Sequence, residues 1–249
     1  MTPLLEVEGV SKSFRGLRAL HQVSLALNTG EIVAVIGPNG AGKTTFFNLL
    51  CGVCRADTGQ IRLRGQRIDG LRPDQVCARG VGRTFQIVRP FSGLSVLDNV
   101  VVGALRGERS LALARQRALA ILEALGLADK RDQAALTLTL PERKRLELAR
   151  ALATRPELLL LDEVMAGLRP TECDQLVRVL TDLQRSAGFA VLLIEHVLRA
   201  VRALAQRVVV LHHGELIADG TAEQVMRQPA VVASYLGPSA SPATPETPP

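Results

Sequence analysis

A chain of 249 residues with 47% hydrophobic content can bury one substantial core, which points to a single globular unit rather than two independent domains. Its formal charge of +6 rests almost wholly on arginine, Lys12, Lys43, Lys130 and Lys144 being the lysines, while aromatics at 3% are too few to build a base-stacking platform, so no nucleic-acid partner is expected. No apolar run approaches the roughly 18 residues that span a bilayer and the N-terminus does not match a signal peptide, so a cytoplasmic chain with reduced thiols at Cys51, Cys54, Cys77 and Cys173 is expected.

The first 36 residues read as strands. Leu5 and Val7, then Val23, Leu25 and Leu27, alternate with other residues, and Glu31 to Ile36 is a short buried strand. That strand runs directly into Gly37 to Thr45, GPNGAGKTT, which matches G-x-x-x-x-G-K-[ST] ahead of a helix starting near Gly42. Glycines at 37, 40 and 42 let backbone N–H groups close around a β-phosphate; Lys43 can reach the β and γ oxygens, and the Thr44 hydroxyl suits Mg²⁺. The expected nucleotide contacts are therefore Gly37, Pro38, Asn39, Gly40, Ala41, Gly42, Lys43, Thr44 and Thr45. Cys51 and Cys54 lack a second pair or ligand-spaced histidines, so they read as packing thiols rather than a zinc or redox motif.

After the turn at Thr58-Gly59, Gln60 to Ile68 reads as a half-exposed strand and Val81 to Gln86 as another. From Ser95 to about Arg155 the spacing becomes helical, with Ala118, Ile121, Leu122 and Leu125 on one face, so a helical lobe is inserted after Gln86. Alternation then resumes with a strand at Glu157–Asp162, a helix at Thr171–Ala187, a strand at Ala190–Ile194 and the apolar Val208–Leu211, implying a largely parallel sheet with helices on its faces. Residues 237–249, GPSASPATPETPP, read as a disordered tail.

Three strand ends carry candidate chemistry. LLLLDE, at 158–163, delivers Asp162 to hold Mg²⁺ and Glu163 to polarise an attacking water. His196 in LLIEH could hydrogen-bond a γ-phosphate or that water, and Gln86 could contact both metal and water. Each alone is weak; behind a phosphate loop they gain meaning.

Taken together, SKSFRG with Phe14, GPNGAGKTT, GRTFQ with Gln86, LLLLDE and LLIEH with His196 resemble, in this order, the ATP-binding cassette (ABC) ATPases, from Leu4 to Leu236. The resemblance implies a P-loop NTPase fold, α/β with a RecA-like core, an antiparallel β subdomain and an inserted helical subdomain at about 87–155. It implies ATP and Mg²⁺ as ligands, an adenine-stacking role for Phe14, and a second ATPase subunit whose signature segment completes each ATP site. GRTFQIVRPFSGLSVLDNV, LARALATRPELLLLDE, LLIEHVLRAV and VVASYLG are similar to the ATPase subunits of branched-chain amino acid importers. Membrane permeases meeting Arg89 to Leu94, indirectly a substrate-binding protein, and a peripheral place on the cytoplasmic face of the cell membrane are thereby implied.

ATPases of lipopolysaccharide or lipid export, and a soluble ABC switch without transport, are the alternatives; a GTPase would need an N-K-x-D segment that the chain lacks. The chain departs from the family at the signature, where Leu138-Thr139-Leu140-Pro141-Glu142 stands for the usual LSGGQ. Thr139 keeps a hydroxyl, but Pro141 has no N–H to offer a phosphate, and Thr139 with Glu142 forms T-x-x-E, a capping box. Arg169 stands where many cassettes carry an aspartate.

Overall fold

Alternation at Leu5 and Val7, and at Val23, Leu25 and Leu27, buries one face of β1 (Leu5–Phe14) and β2 (Leu17–Leu27) in the computed structural model, which describes residues 2–236. The tail expected from residue 237 lies outside the described residues. The two strands pair antiparallel around a tight turn in which Arg15 and Gly16 both have positive φ. β3 (Ile32–Ile36) leads through the glycine-rich loop into α1 (Lys43–Leu50). β4 (Thr58–Leu63) and β5 (Gln66–Arg67) complete a four-stranded antiparallel sheet in the order β2-β1-β4-β5. The single strand expected over Gln60–Ile68 is thus two, broken where Arg64 and Gly65 turn left-handed.

α2 (Pro73–Ala78), not anticipated from the sequence, precedes β6 (Val81–Arg83). Gln86 was expected to end this strand, but β6 stops at Arg83. The ladder to the neighbouring strand is replaced there by a side chain, since the Asp162 N–H donates to the Thr84 hydroxyl at 3.2 Å instead of to a backbone carbonyl. The helical lobe holds α3 (Val96–Ala104), α4 (Leu111–Ala124) and α5 (Leu140–Ala153), with Ser95, Ser110 and Thr139 at their N-caps. Ala118, Leu122 and Leu125 are buried as the spacing predicted, and Ile121 is partly buried against the same core.

The α/β half resumes with β7 (Leu158–Asp162), α6 (Pro170–Ala187), β8 (Ala190–Ile194), α7 (Leu198–Leu204), β9 (Arg207–His212), β10 (Glu215–Gly220), α8 (Ala222–Met226) and α9 (Pro229–Leu236). The second sheet runs β10-β9-β3-β8-β7-β6, parallel except at β10. Strands buried on both faces lose their polar alternation, which is why β3, β7 and β8 read as unbroken apolar runs. Their alternate residues feed separate cores. Leu159 and Leu161 pack with the helical lobe and α6, while Leu158 and Leu160 pack with α1 and the antiparallel sheet. The C-terminal ends of β3, β7 and β8 therefore converge on one edge, where the phosphate loop, Asp162-Glu163 and His196 emerge.

Candidate functional site

Close backbone approach governs the phosphate loop. A Cβ on Gly37, whose φ is 149°, would lie 2.0 Å from the carbonyl oxygen of Leu211, and one on Gly42, at φ 105°, would lie 2.5 Å from that of Ala19. No other residue fits either position without moving β9 or β2. Lys43 is buried, and its Nζ donates to the carbonyls of Gly37 at 2.7 Å and Pro38 at 2.9 Å. Burial pushes its ammonium below the usual lysine range, while Glu163 and Asp162 pull it back up. An anion arriving at the loop would meet a cation already desolvated and held by neutral carbonyls that can release it.

Thr44 is exposed at the start of α1 and shares a cleft of about 460 Å³ with Gln86 and Asp162. Asp162 is 4% exposed, and its Oδ2 accepts from Arg83 Nη2 at 3.0 Å. A hydroxyl, a carboxylate and a primary amide are hard oxygen donors, so this set fits Mg²⁺.

Glu163 sits one residue beyond β7 with φ 50°, a left-handed conformation that costs a non-glycine residue about 1 kcal/mol. Two contacts hold it there: its N–H donates to the Ile194 carbonyl at 2.9 Å, and its carbonyl accepts from Lys144 Nζ at 3.0 Å. The carboxylate is gripped on both oxygens, Oε1 by His196 Nε2 at 2.8 Å and Oε2 by the Gln86 amide nitrogen at 2.5 Å. The structure thus brings Glu163, Gln86 and His196 together from the segments that follow three separate strands. Gln86 spends its nitrogen on Glu163, leaving its amide oxygen for other partners.

Two residues that the sequence reading did not single out complete this arrangement. Lys144, 5% exposed on α5, also bonds the Gln86 carbonyl at 3.4 Å, so one ammonium ties the helical lobe to both Gln86 and Glu163. Burial lowers its pKa, opposed by Glu195 and Glu163. Glu195, 1% exposed, accepts from the Met165 N–H at 2.8 Å and holds the loop after Glu163; burial raises its pKa.

Phe14 is half-exposed at the hairpin tip, with Lys12 Nζ 5.3 Å from its ring centre. The return strand of that hairpin touches Gly42 through Ala19 and Leu20. Thr139 stands apart, exposed at the start of α5 with its N–H donating to Glu142 at 2.9 Å. Lys130 and the Thr139 N–H and hydroxyl hold the Glu142 carboxyl down at about 2, so the start of α5 carries an ionised carboxylate paired with the Lys130 ammonium. A depressed pKa stabilises the fold above the ordinary carboxylate range and loses that contribution as pH falls from about 4.5 to about 2. Glu142→Gln should therefore cost on the order of 2 kcal/mol at neutral pH, with the difference from wild type vanishing near pH 2. Urea denaturation across that range checks it; a constant difference at all pH values would exclude the linkage.

The glycine loop followed by a strand-borne Asp-Glu pair, with Gln86 and His196 on the same carboxylate, occurs here in a chain whose residues 20–166 match the ABC transporter family model. The chain belongs to the ABC transporter family. It is an ATP-binding cassette ATPase. Residues 215–237 match a second model, that of the branched-chain amino acid ATP-binding cassette transporter. The cassette is 40% identical over 250 residues to LivG of Escherichia coli K12, a high-affinity branched-chain amino acid transport ATP-binding protein, covering 94% of this chain and 98% of that one. BraF of Pseudomonas aeruginosa, with the same description, is 39% identical over the same shares. LptB of Haemophilus influenzae, a lipopolysaccharide export ATP-binding protein, is 36% identical over 235 residues, covering 94% and 97%. A nucleotide-free cassette of an ABC transporter superimposes with a TM-score of 0.86 at 30% identity, covering 95% of this chain and 100% of that one. A dimeric post-hydrolysis cassette bound to ADP and Pi does so at 0.79 and 25% identity, covering 88% and 98%.

Proposed function

We propose that this cassette is the ATPase subunit of an importer for branched-chain or related amino acids or amides, working on two permeases fed by a binding protein. The observation that carries this reading is the match of residues 215–237 to the branched-chain amino acid cassette model. That segment lies beyond Glu163 and His196 in the chain and contains none of the residues assigned to the ATP site. Expression with the neighbouring permeases should place the chain on the membrane and drive uptake of leucine, isoleucine, valine or a related amide; no uptake of any of these would end the importer reading.

Within the site, the loop amides and Lys43 hold the phosphates, Phe14 stacks on adenine, and Thr44, Asp162 and the Gln86 amide oxygen are the residues that would hold Mg²⁺. The metal, when bound, neutralises charge on the β- and γ-phosphate oxygens. Glu163 accepts the proton of the attacking water, and His196 and Gln86 orient its carboxylate. Thr139 would face the nucleotide of a second cassette, although Pro141, with no N–H to offer a phosphate, makes that contact weaker than a glycine-rich signature.

The permease is proposed to dock at the apolar groove, about 250 Å³, between the phosphate-loop helix and the helical lobe, lined by Val53, Val76, Phe85, Phe91 and Val102. Phe91 is 44% exposed at its rim. Its backbone is clamped by the buried Asn99, which accepts from the Phe91 N–H at 2.8 Å and donates to its carbonyl at 3.2 Å, and the Arg150 guanidinium lies 4.7 Å from its ring centre. Phe91→Ala should leave ATPase activity of the isolated chain within about twofold but cost about 2 kcal/mol, roughly 30-fold, in permease affinity. Co-purification at wild-type yield would move the docking site elsewhere.

A further inference from the structure

Between the groove and the phosphate edge lies the arginine of GRTFQ, to which neither the ATP chemistry nor the family likeness has assigned a role. Arg83 ends β6 with its side chain 8% exposed. Its guanidinium donates to Asp162 Oδ2 at 3.0 Å, to Asn48 Oδ1 at 2.7 Å and to Cys51 Sγ at 2.9 Å. Phe85 lies 5.0 Å from the guanidinium carbon and the buried Phe47 lies 5.9 Å from it. Asn48 belongs to α1, the helix that begins with Lys43 and Thr44, and Cys51 caps that helix. Asp162 ends β7.

We propose that Arg83 is a positioning residue for the magnesium site, fixing the helix that carries Thr44 against the strand end that carries Asp162. The proposal rests on the reading above that Thr44 and Asp162 hold Mg²⁺. A two-element metal site needs its halves at one separation, and a planar fork with donors on both sides sets that separation where a lysine's single ammonium could not. By taking Oδ2, Arg83 orients the carboxylate and leaves Oδ1 unused by the guanidinium. The guanidinium is more than a space-filler: its Nε has no hydrogen-bond partner among the described residues, while its Nη2 is the partner of the buried Asp162 carboxylate, so the folding stability of each variant is read beside its Mg²⁺ response. Arg83 and Phe85 also line both the groove and the cleft of Thr44 and Asp162, so the residue that spaces the metal site is in contact with the surface where the permease is placed.

The test uses the full chain and its melting temperature with ADP, first in EDTA and then on titration with MgCl2, so that nucleotide and metal responses are read separately from turnover. Arg83→Met should bind ADP in EDTA within about twofold of wild type and need about 10-fold more Mg²⁺ for half-maximal stabilisation, as expected for loss of an outer-shell partner. Arg83→Lys should recover part of that shift. Asn48→Ala, which removes the shorter of the two hydrogen bonds to α1 but keeps the one to Cys51 and the Arg83–Asp162 pair, should raise the Mg²⁺ requirement by about threefold. An unchanged or lower Mg²⁺ requirement in folded Arg83→Met overturns the proposal. If that variant does not fold, wild-type Mg²⁺ titrations in both Arg83→Lys and Asn48→Ala overturn it instead. Asp162→Asn separates the two readings: a wild-type Mg²⁺ response there removes the metal site itself, whereas loss there with a normal Arg83→Met removes only the role of Arg83.

Discussion

Glu163→Gln is expected to slow ATP hydrolysis by about 10²-fold or more while nucleotide binding stays near wild type, because the change removes a proton acceptor and little else. The amide keeps the size of the carboxylate, and one of its two contacts, to His196 or to Gln86, survives in either orientation. The backbone at 163 is left-handed and anchored by Ile194 and Lys144, contacts that do not involve the side chain, so the loop should hold its shape. With binding intact and turnover blocked, the variant should accumulate as an ATP-bound dimer. Phosphate release and size-exclusion chromatography with and without ATP read both outcomes. Hydrolysis at the wild-type rate would take the proton-accepting role away from Glu163.

Lys43→Ala should abolish most nucleotide-dependent stabilisation. At a ligand concentration 100 times Kd, wild type gains about 2.7 kcal/mol, roughly 5–10 °C in melting temperature for a chain of this size. Lys43 supplies the mobile cation of the loop, and burial has already stripped water from it, so alanine loses a charge-assisted contact with phosphate that no neighbour replaces. The variant also leaves the Gly37 and Pro38 carbonyls without this donor, so its melting temperature without nucleotide is the baseline for comparison. A rise with Mg-ATP equal to that of wild type would mean that the phosphates bind elsewhere.

The phosphate loop was legible because its chemistry is contiguous: glycines, lysine and threonine fall in one stretch behind one strand. Glu163, Gln86 and His196 were legible by a different route, their order along the chain, and the structure supplies the fact that all three meet on one carboxylate. Arg83 was not legible. Its partners are residues 48, 51 and 162, and no spacing in a single sequence announces a buried guanidinium between them. Lys144 and Glu195 were hidden for a related reason, since RKR on a helix looks like solvated charge and Glu195 stands beside the histidine that draws attention in LLIEH, whereas both side chains are nearly inaccessible. In the fold, the break of the expected Gln60–Ile68 strand came from a left-handed turn at an arginine-glycine pair that carries no asparagine or proline to mark it. The capping box at Thr139 was read directly, because its two residues are local to each other.

The crowding at Gly37 reaches beyond the phosphate loop. The space a side chain would need there is filled by the Leu211 carbonyl, and the Gly214 N–H is bonded to the Ala41 carbonyl at 3.0 Å, while its own carbonyl accepts from the His21 N–H at 2.8 Å. The turn between β9 and β10 is therefore mortised into the phosphate loop on one side and the first hairpin on the other. An inserted residue there would push Ala41 and Leu211 apart, whereas one between α3 and α4 would extend an exposed connection. Among descendants of a common cassette, changes of length should collect in the helical lobe and be missing between residues 211 and 215.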